Sequence, residues 1–457
     1  MINVLIRQRF VVLSLWKSRE SGGFHKIIPE GTMATQPYLI PPGQLPPRVR
    51  YEKLFDHLPA FPPLRATAGR RPVSRDSLLR ALVYKTLRRL DTLSALVFDL
   101  RNNEGVAAAL GFSPDVRVPS VERFSSFLRD YPNEELQKIR GRLVEKLRGM
   151  QVIGGSILSI DSAPVVAPLK ENNLKTSLKR MRFKKDEAPT GDPDAGLGII
   201  CHYPAPNRKE VAYFWGYRNH VMTDSISELP VWEVTYPADV GDLKPGRDAL
   251  TWASEAFDGA IEAVTADAEY DAESILAYIV NELNAKAVVP ANPRNRHNDE
   301  YSIRQNHVYC SADLPMANKG KSTDRNTGIT YRIYSCPLYW RKKMQSQYLF
   351  CPVQHPKYFS QKGCNVLIRL TPTVRSQMEY GTQKFIEVYN RRSSSERVFS
   401  RLLAVTAQEP SVRGLNATRN HITIAHISVL LVAAAAHTEG HDDKLRFVRT
   451  FVPNFLT

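Results

Sequence analysis

The sequence predicts an α/β protein: a mixed sheet flanked by helices, with a helical domain before it and an insertion within it. Three observations lead to this expectation. Apolar residues recur at helical spacing across residues 76–150. From residue 156 the pattern changes to short β-rich runs that alternate with helical ones. Two late stretches return to helical spacing after a polar segment that carries four of the five cysteines.

The first part of the chain divides into a tail and a helical domain. Repeated prolines predict a disordered or Pro-rich tail over residues 1–45. Ser74 is a candidate helix cap, and the apolar spacing that follows it continues through a domain at residues 46–150. Basic side chains expected on its outer faces are Arg80, Lys85, Arg88, Arg89, Arg123, Lys138, Arg140, Arg142, Lys146 and Arg148. A solvated basic face and a DNA-binding face explain this pattern equally well.

The sheet is expected in two parts, residues 151–291 and 377–445. Strands are predicted at residues 156–160, 210–217, 229–236, 261–266 and 287–290. The second and third of these form a predicted hairpin. Helices are predicted at residues 248–257, 274–284, 378–405 and 421–436. The looser, basic segment 292–376 is the predicted insertion.

Charge and cysteine content narrow the class of protein. The formal net charge of +16 predicts a polyanionic partner, because fixed positive charge releases counterions from a phosphate backbone. No stretch approaches the roughly 18 apolar residues that a membrane helix needs, and residues 427–436 are predicted to be a buried helix. Five widely spaced cysteines suit a reducing, cytoplasmic setting better than a disulfide framework.

Two predicted strands run directly into an aspartate, Asp161 and Asp267. Either one alone is more simply a turn or helix-cap residue. A carboxylate at the end of a core strand is costly to bury, however, unless it is paired or bound to a metal. Together with an acid from a long helix, two such carboxylates could hold two Mg²⁺ ions, which prefer oxygen ligands and can support in-line phosphodiester displacement.

Helix geometry selects the third acid. At 100° per residue, Tyr389, Arg392 and Glu396 share one face of the predicted late helix. Glu387 points to the opposite side. An amphipathic helix with Arg–Glu pairs on its wet side is the alternative, but the serine run 393–395 is poor material for a purely structural helix. Glu396 is therefore the candidate.

Four segments, in this order and spacing, resemble prokaryotic insertion-sequence transposases of the DDE superfamily, whose catalytic core is RNase H-like. They are SILSIDSAPV around Asp161, residues 214–242, TADAEYDAESI around Asp267, and YNRRSSSERVFSRL around Glu396. The last matches the family's Y-x2-R-x3-E signature at Tyr389, Arg392 and Glu396. The helical segment from about residue 70 is similar to the N-terminal domain that often precedes this core. The resemblance also places the insertion between the second Asp and the Glu.

The resemblance implies a DNA transposase located in the cytoplasm at the nucleoid. It would bind the terminal inverted repeats of its element as a homodimer in a paired-end complex, hydrolyse a strand at each end and join the 3′-hydroxyl to target DNA. Asp161, Asp267 and Glu396 would hold Mg²⁺ or Mn²⁺. Tyr389 and Arg392 would contact the double-stranded DNA end near the scissile phosphate.

Two departures from the family pattern keep alternatives open. Leu403 stands where the family has Lys or Arg, so Arg401 becomes the candidate substitute for that DNA contact. Glu269 replaces a glycine and adds negative charge near Asp267. The alternatives are a catalytically inactive, transposase-derived DNA-binding protein and a two-metal DNA nuclease without strand transfer.

A basic segment follows the first aspartate. Lys179, Arg180 and Arg182 belong to a run between residues 170 and 185 that has a single acid before Asp186. A solvated loop and a phosphate-contacting loop are both consistent with this composition. We take these three residues as candidate DNA contacts.

The predicted insertion carries Cys310, Cys336, Cys351 and Cys364. Their spacing does not form two CxxC knuckles, although Cys336 and Cys351 are each followed by proline. Free buried thiols are the default interpretation, and a structural zinc is the alternative. Cys201 is expected on a strand of the core.

Overall fold

The computed structural model describes residues 46–63, 73–112, 117–173, 183–184, 187–205, 208–292, 301–304, 307–340, 342–359, 363–378, 382–408 and 410–450. The predicted tail, residues 1–45, lies outside the described residues. So do Lys179, Arg180 and Arg182 of the basic loop.

The described part of the chain that precedes the sheet is helical, which confirms the predicted helical region. They are α1 (Pro47–Phe55), α2 (Arg75–Arg88), α3 (Leu93–Asn102), α4 (Glu104–Ala109), α5 (Val121–Asp130) and α6 (Asn133–Gly149). The Ser74 hydroxyl caps α2 by accepting a hydrogen bond from the Ser77 N–H at 3.3 Å, as the sequence predicts.

Two basic side chains predicted on outer faces are buried instead. Lys85 is 5% exposed and Arg140 is 4% exposed. Helix α2 is buried along most of its length, which encloses Lys85. Arg140 donates to the Gln137 Oε1 at 2.7 Å and to the backbone carbonyl of Val231 on the neighbouring sheet. Both positions therefore serve packing rather than a solvated surface.

A six-stranded mixed sheet forms the core. Its strands are β1 (Ile157–Val166), β2 (Gly196–Ala205), β3 (Arg208–Asp224), β4 (Leu229–Pro237), β5 (Ala263–Ala266) and β6 (Lys286–Val288). One edge of β3 pairs with β2 and then with β4, and its other edge pairs with β1. Strands β5 and β6 continue the sheet in parallel from β1. The predicted hairpin is β3–β4, and half-buried Cys201 lies on β2.

Strand β1 is longer than the predicted strand at residues 156–160. It continues because Leu158 to Val166 pair without interruption with Asp224 to Gly216 of β3. The prediction that the strand ends at Asp161 is therefore wrong, and this aspartate lies in the middle of β1. Asp267 does follow directly after β5, as expected.

Helices cover the sheet. After β4 comes α7 (Leu243–Ala256), and before β6 comes α8 (Glu273–Ala277), which continues as a π-helical turn over Tyr278–Glu282. The predicted single helix at residues 378–405 is wrong: after a 3₁₀ turn (Val374–Gln377), two separate helices occupy Gln383–Asn390 and Ser393–Ala404. The Ser393 hydroxyl donates to the Asn390 carbonyl at 2.9 Å and competes with the helical hydrogen bonds at the break.

Among the described residues, the segment between β6 and the late helices forms two small sheets and three short helices. The strands are β7 (Tyr301–Arg304), β8 (His307–Cys310), β9 (Ala317–Thr323), β10 (Thr330–Ser335) and β11 (Asn365–Arg369). Between β10 and β11 lie α9 (Pro337–Trp340), α10 (Lys342–Gln347) and α11 (Pro356–Phe359). Its two apolar clusters are separate from the main core.

The last helices are α12 (Gln383–Asn390), α13 (Ser393–Ala404) and α14 (Leu415–Thr438). Helix α14 is long and apolar enough to cross a membrane by length and composition, but 89% of its most apolar window is buried inside the protein. It packs against α2, α5 and α6 and against β4, so the helical region and the sheet share one continuous core. This confirms the predicted buried helix.

Candidate active site

The sheet brings the two predicted aspartates side by side. Strands β1 and β5 are parallel, and Ile160 on β1 is level with Ala266 on β5. The next residue in each case is an aspartate, Asp161 within β1 and Asp267 directly after β5, so the two lie at the same level of the sheet. The Asp267 carboxylate also accepts a hydrogen bond from the Glu269 N–H at 2.9 Å, which caps the short 3₁₀ turn Ala268–Tyr270. Asp267 therefore caps a turn, as the simpler interpretation of the sequence predicts. This cap uses one carboxylate oxygen and does not exclude a role of Asp267 in the candidate site.

The serine run allows α13 to lie close to the sheet. The Ser395 hydroxyl donates to the Ser159 Oγ on β1 at 2.8 Å, and the Ser394 hydroxyl donates to the Ser225 Oγ at 3.2 Å. The side chains of Ser394 and Ser395 are completely buried. A larger residue in either place would hold the helix away from β1. These poor helix formers therefore position Glu396, the next residue, beside the aspartates.

Arg392 connects two of the three acids. Its Nη1 donates to the Asp161 Oδ2 at 2.9 Å, and its Nη2 donates to the Glu396 Oε1 at 3.0 Å. The Tyr389 ring lies 5.8 Å from the guanidinium carbon. The three residues of the Y-x2-R-x3-E pattern therefore share one face, as helix geometry predicts, despite the break between α12 and α13.

Burial makes Asp161 an unusually weak acid for an aspartate. Burial is the largest cause that raises the pKa of Asp161 to about 7; Arg392 opposes the shift, and Asp267 and Glu396 add to it. Burial also raises the pKa of Asp267. The three acids are thus near enough for their charges to interact, and the Asp161 carboxylate lacks enough positive charge around it to stay ionised easily.

Two further charged residues adjoin the site, and the sequence did not single them out. Arg218 on β3 donates to the Ser162 Oγ at 3.3 Å, and the Ser162 hydroxyl donates to the Asp242 Oδ1 at 3.3 Å. Burial raises the pKa of Asp242, Arg218 opposes the shift, and the nearby Asp267 adds to it. Asp242 directly precedes α7, so from sequence it is indistinguishable from an ordinary helix cap. Among these described side chains, carboxylates therefore outnumber guanidiniums.

Arg401 does not face the site. Only 13% of its side chain is exposed, and its Nη2 donates to the Glu228 Oε2 at 2.7 Å. Glu228 lies in the turn between β3 and β4 and also pairs with Arg397 at 2.7 Å. Because its donors are used inside the protein, Arg401 does not support the predicted DNA contact. Its ion pair with Glu228 instead connects α13 to the turn between β3 and β4.

Among the described residues, no group of three or more His, Cys, Asp or Glu side chains is placed so that it could hold a metal ion. At the three acids, the Arg392 guanidinium bonds both Asp161 and Glu396. The four cysteines of the insertion do lie together in one small apolar cluster with Leu314 and Leu338. None of them is in a disulfide.

Comparison with known proteins gives two matches to family models. A model described as "Transposase DDE domain" matches residues 154–431, and one described as "Transposase domain (DUF772)" matches residues 38–130. No curated protein matches the chain. A solved structure, described as a piggyBac transposase synaptic complex with hairpin DNA, is 12% identical with a TM-score of 0.35, and the match covers 90% of this chain and 80% of that one. So low a score carries no argument about this chain.

Proposed function

The chain belongs to the family of transposases with a DDE domain, and from this membership we propose a specific reaction. The protein binds the terminal inverted repeats of its own element, hydrolyses one strand at each end and joins the freed 3′-hydroxyl to target DNA. Asp161, Asp267 and Glu396 are the proposed catalytic residues. The observation that carries the proposal is that Asp161 and Asp267 lie at one level of adjacent parallel strands while Arg392 on the helix bonds both Asp161 and Glu396.

The chemistry of the three acids suits a divalent cation. All three side chains offer carboxylate oxygens, which Mg²⁺ and Mn²⁺ prefer. Because burial raises the pKa of Asp161 to about 7, added positive charge would stabilise its ionised form, which supports the proposal. Bound there, two cations would activate the attacking oxygen and stabilise the leaving one. A two-metal requirement is part of the proposal.

Arg392 has two tasks in this proposal. In the protein without DNA it supplies the positive charge that Asp161 and Glu396 would otherwise lack. When cations neutralise the carboxylates, its planar fork becomes available to the phosphate at the DNA end, with Tyr389 beside it. The net charge of +16 supplies the general attraction to DNA. A homodimer that holds both ends together is also proposed.

The proposed function can be tested on a DNA fragment that carries the inverted repeats flanking the gene for this protein. With Mg²⁺ or Mn²⁺ we expect nicks at the repeat ends, followed by joining of the 3′ ends to a plasmid; with EDTA we expect neither. Nicking without joining of a pre-cleaved end would identify a nuclease. Binding to the repeats without any nicking, under all metal conditions, would contradict the enzymatic proposal and leave the DNA-binding alternative, which Glu269 and Leu403 favour.

Replacing Arg392 with Gln separates its two tasks. We expect cleavage to slow by about 10- to 100-fold, because a charge-assisted hydrogen bond to phosphate contributes about 1.5–3 kcal/mol. Mn²⁺ should bind the variant at least as tightly as the original protein, since the competing guanidinium is gone. Electron paramagnetic resonance of Mn²⁺ titrations measures this.

The matched control for that substitution is Arg391→Gln. Arg391 is the exposed neighbour of Arg392 at the same helix break. It should change cleavage by less than about threefold, as expected for a surface change of within about 0.5 kcal/mol. Weaker Mn²⁺ binding in Arg392→Gln, with the control unchanged, would show that Arg392 supports the cation rather than competes with it.

A further inference from the structure

The insertion gathers four cysteines from distant parts of its sequence. Cys310 ends β8, Cys336 follows β10, Cys351 lies between α10 and α11, and Cys364 directly precedes β11. All four contact one apolar cluster. A single buried thiol packs like a small apolar residue, but these four come together from separate segments of the chain.

This part of the chain has very little apolar core among its described residues. Its two clusters each contain four buried residues. Cores of this size seldom stabilise a fold without a cross-link such as a disulfide or a bound metal. None of the five cysteines forms a disulfide in the structure. Four cysteines can also supply a cross-link by binding a metal.

Three of the four cysteines begin tight turns. The Cys310 carbonyl accepts from the Asp313 N–H at 2.8 Å, the Cys336 carbonyl from the Tyr339 N–H at 3.2 Å, and the Cys351 carbonyl from the Gln354 N–H at 2.9 Å. Each turn keeps its cysteine at a bend in the backbone, where the side chain can face the cluster.

The fourth cysteine is brought in by a glycine. Gly363 has φ +66°, and a Cβ there would lie 2.6 Å from the Cys336 Cβ. Only glycine permits this close approach of the chain just before Cys364. Burial raises the pKa of Cys364 to about 11, and the neighbouring Cys336, Cys310 and Cys351 add to the shift. All four thiols are therefore close enough to interact.

We propose that Cys310, Cys336, Cys351 and Cys364 bind one structural Zn²⁺ ion that cross-links the insertion. Four thiols lose four protons and form four Zn–S bonds in tetrahedral geometry, with no change of oxidation state. As placed in the structure, no group of three or more His, Cys, Asp or Glu side chains among the described residues could hold a metal ion, so the proposal requires the four sulfurs to be drawn together by rotation about their Cα–Cβ bonds. The carboxylates of the candidate active site lie in a different part of the fold and take no part.

The test is the metal content of the purified full-length protein, measured by mass spectrometry without DNA. We expect about one zinc per chain, and Co²⁺ in its place should give the intense near-ultraviolet absorption of thiolate-to-cobalt charge transfer. Cys336→Ser should lower the zinc content by at least about tenfold. Cys364→His should retain it, because three cysteines and one histidine also form structural zinc sites.

Two controls keep this test separate from the proposed function. Cys201→Ser, on β2 of the main sheet, should leave zinc unchanged, and Asp161→Asn should abolish cleavage but not zinc. If Cys336→Ser does not fold, the zinc content and the cobalt spectrum of the unsubstituted protein test the proposal. A protein purified with added zinc that contains only traces of it, or that shows no thiolate-to-cobalt band, overturns the proposal.

Discussion

Asp161→Asn is expected to abolish strand cleavage while leaving binding to the terminal repeats intact. The amide keeps the size of the carboxylate and can still accept a hydrogen bond from Arg392, but it removes the negative charge that would hold a cation. A bound metal contributes several kcal/mol to phosphodiester displacement, so the cleavage rate should fall by about 10³-fold or more. Asp267→Asn and Glu396→Gln should behave alike. Gel-based nicking and binding assays on one labelled fragment measure both properties.

Two exposed acids provide matched controls. Asp258, in the turn after α7, is the partner for the aspartate variants, and Glu387 on α12, which accepts from the Gln383 side chain at 3.1 Å, is the partner for Glu396. Asp258→Asn and Glu387→Gln should cleave normally. If Asp161→Asn cleaves within about tenfold of the original protein, the assignment of this residue to the reaction is wrong.

Glu233→Ala is expected to cause the largest loss of stability. Glu233 is 3% exposed and its carboxylate accepts hydrogen bonds from Asn219 at 2.8 Å, from Thr423 at 2.7 Å and from Gln137. It also balances the charge of buried Arg140. Removing one member of a buried ionic network leaves the other charge unpaired, which lowers the free energy of unfolding by about 3–5 kcal/mol. Urea denaturation followed by circular dichroism measures it.

The comparison for this prediction is an exposed pair on the same helix as Arg140. Glu135 on α6 pairs with Lys138 at 2.6 Å, and that lysine is 63% exposed. Glu135→Ala should lower the free energy of unfolding by no more than about 1 kcal/mol. The double variant Arg140→Met with Glu233→Leu should recover much of the loss, since apolar replacements of buried ion pairs are often nearly neutral. Equal losses for Glu233→Ala and Glu135→Ala would contradict the network.

Local patterns predicted those parts of the site that depend on a short stretch of chain. Hydrophobic runs located the two strands that carry Asp161 and Asp267, and helical spacing placed Arg392 and Glu396 on one face. The prediction of Arg392 as a neighbour of Glu396 needed only the four-residue helical repeat. The helix break after Asn390 did not disturb this, because Arg391 and Arg392 keep helical backbone angles.

Local sequence patterns could not predict contacts between residues that are far apart in the chain. The partner of Arg401 is Glu228, which lies far away in sequence at the turn between β3 and β4. The partners of Arg140 are on α6 and β4, so its charge suggested an outer face although it is buried. Strand β1 passes beyond Asp161 because β3 is long enough to pair with it. Each of these outcomes depends on which elements meet, and a single sequence does not record that.

The domain boundaries predicted at residues 45, 150, 291 and 376 remain predictions. The described helices before residue 150 share one continuous core with the sheet through α14. A cut at residue 150 would therefore expose apolar surface on both pieces. Experiments on DNA binding should use the full chain for this reason.

The most direct measurement is anomalous X-ray diffraction from a crystal of the protein with repeat-end DNA and Mn²⁺. Our account predicts manganese density in contact with the carboxylates of Asp161, Asp267 and Glu396, with the Arg392 guanidinium turned to the DNA phosphate. Manganese found only elsewhere on the protein, with Arg392 still bonded to Asp161 and Glu396 beside bound DNA, would contradict it.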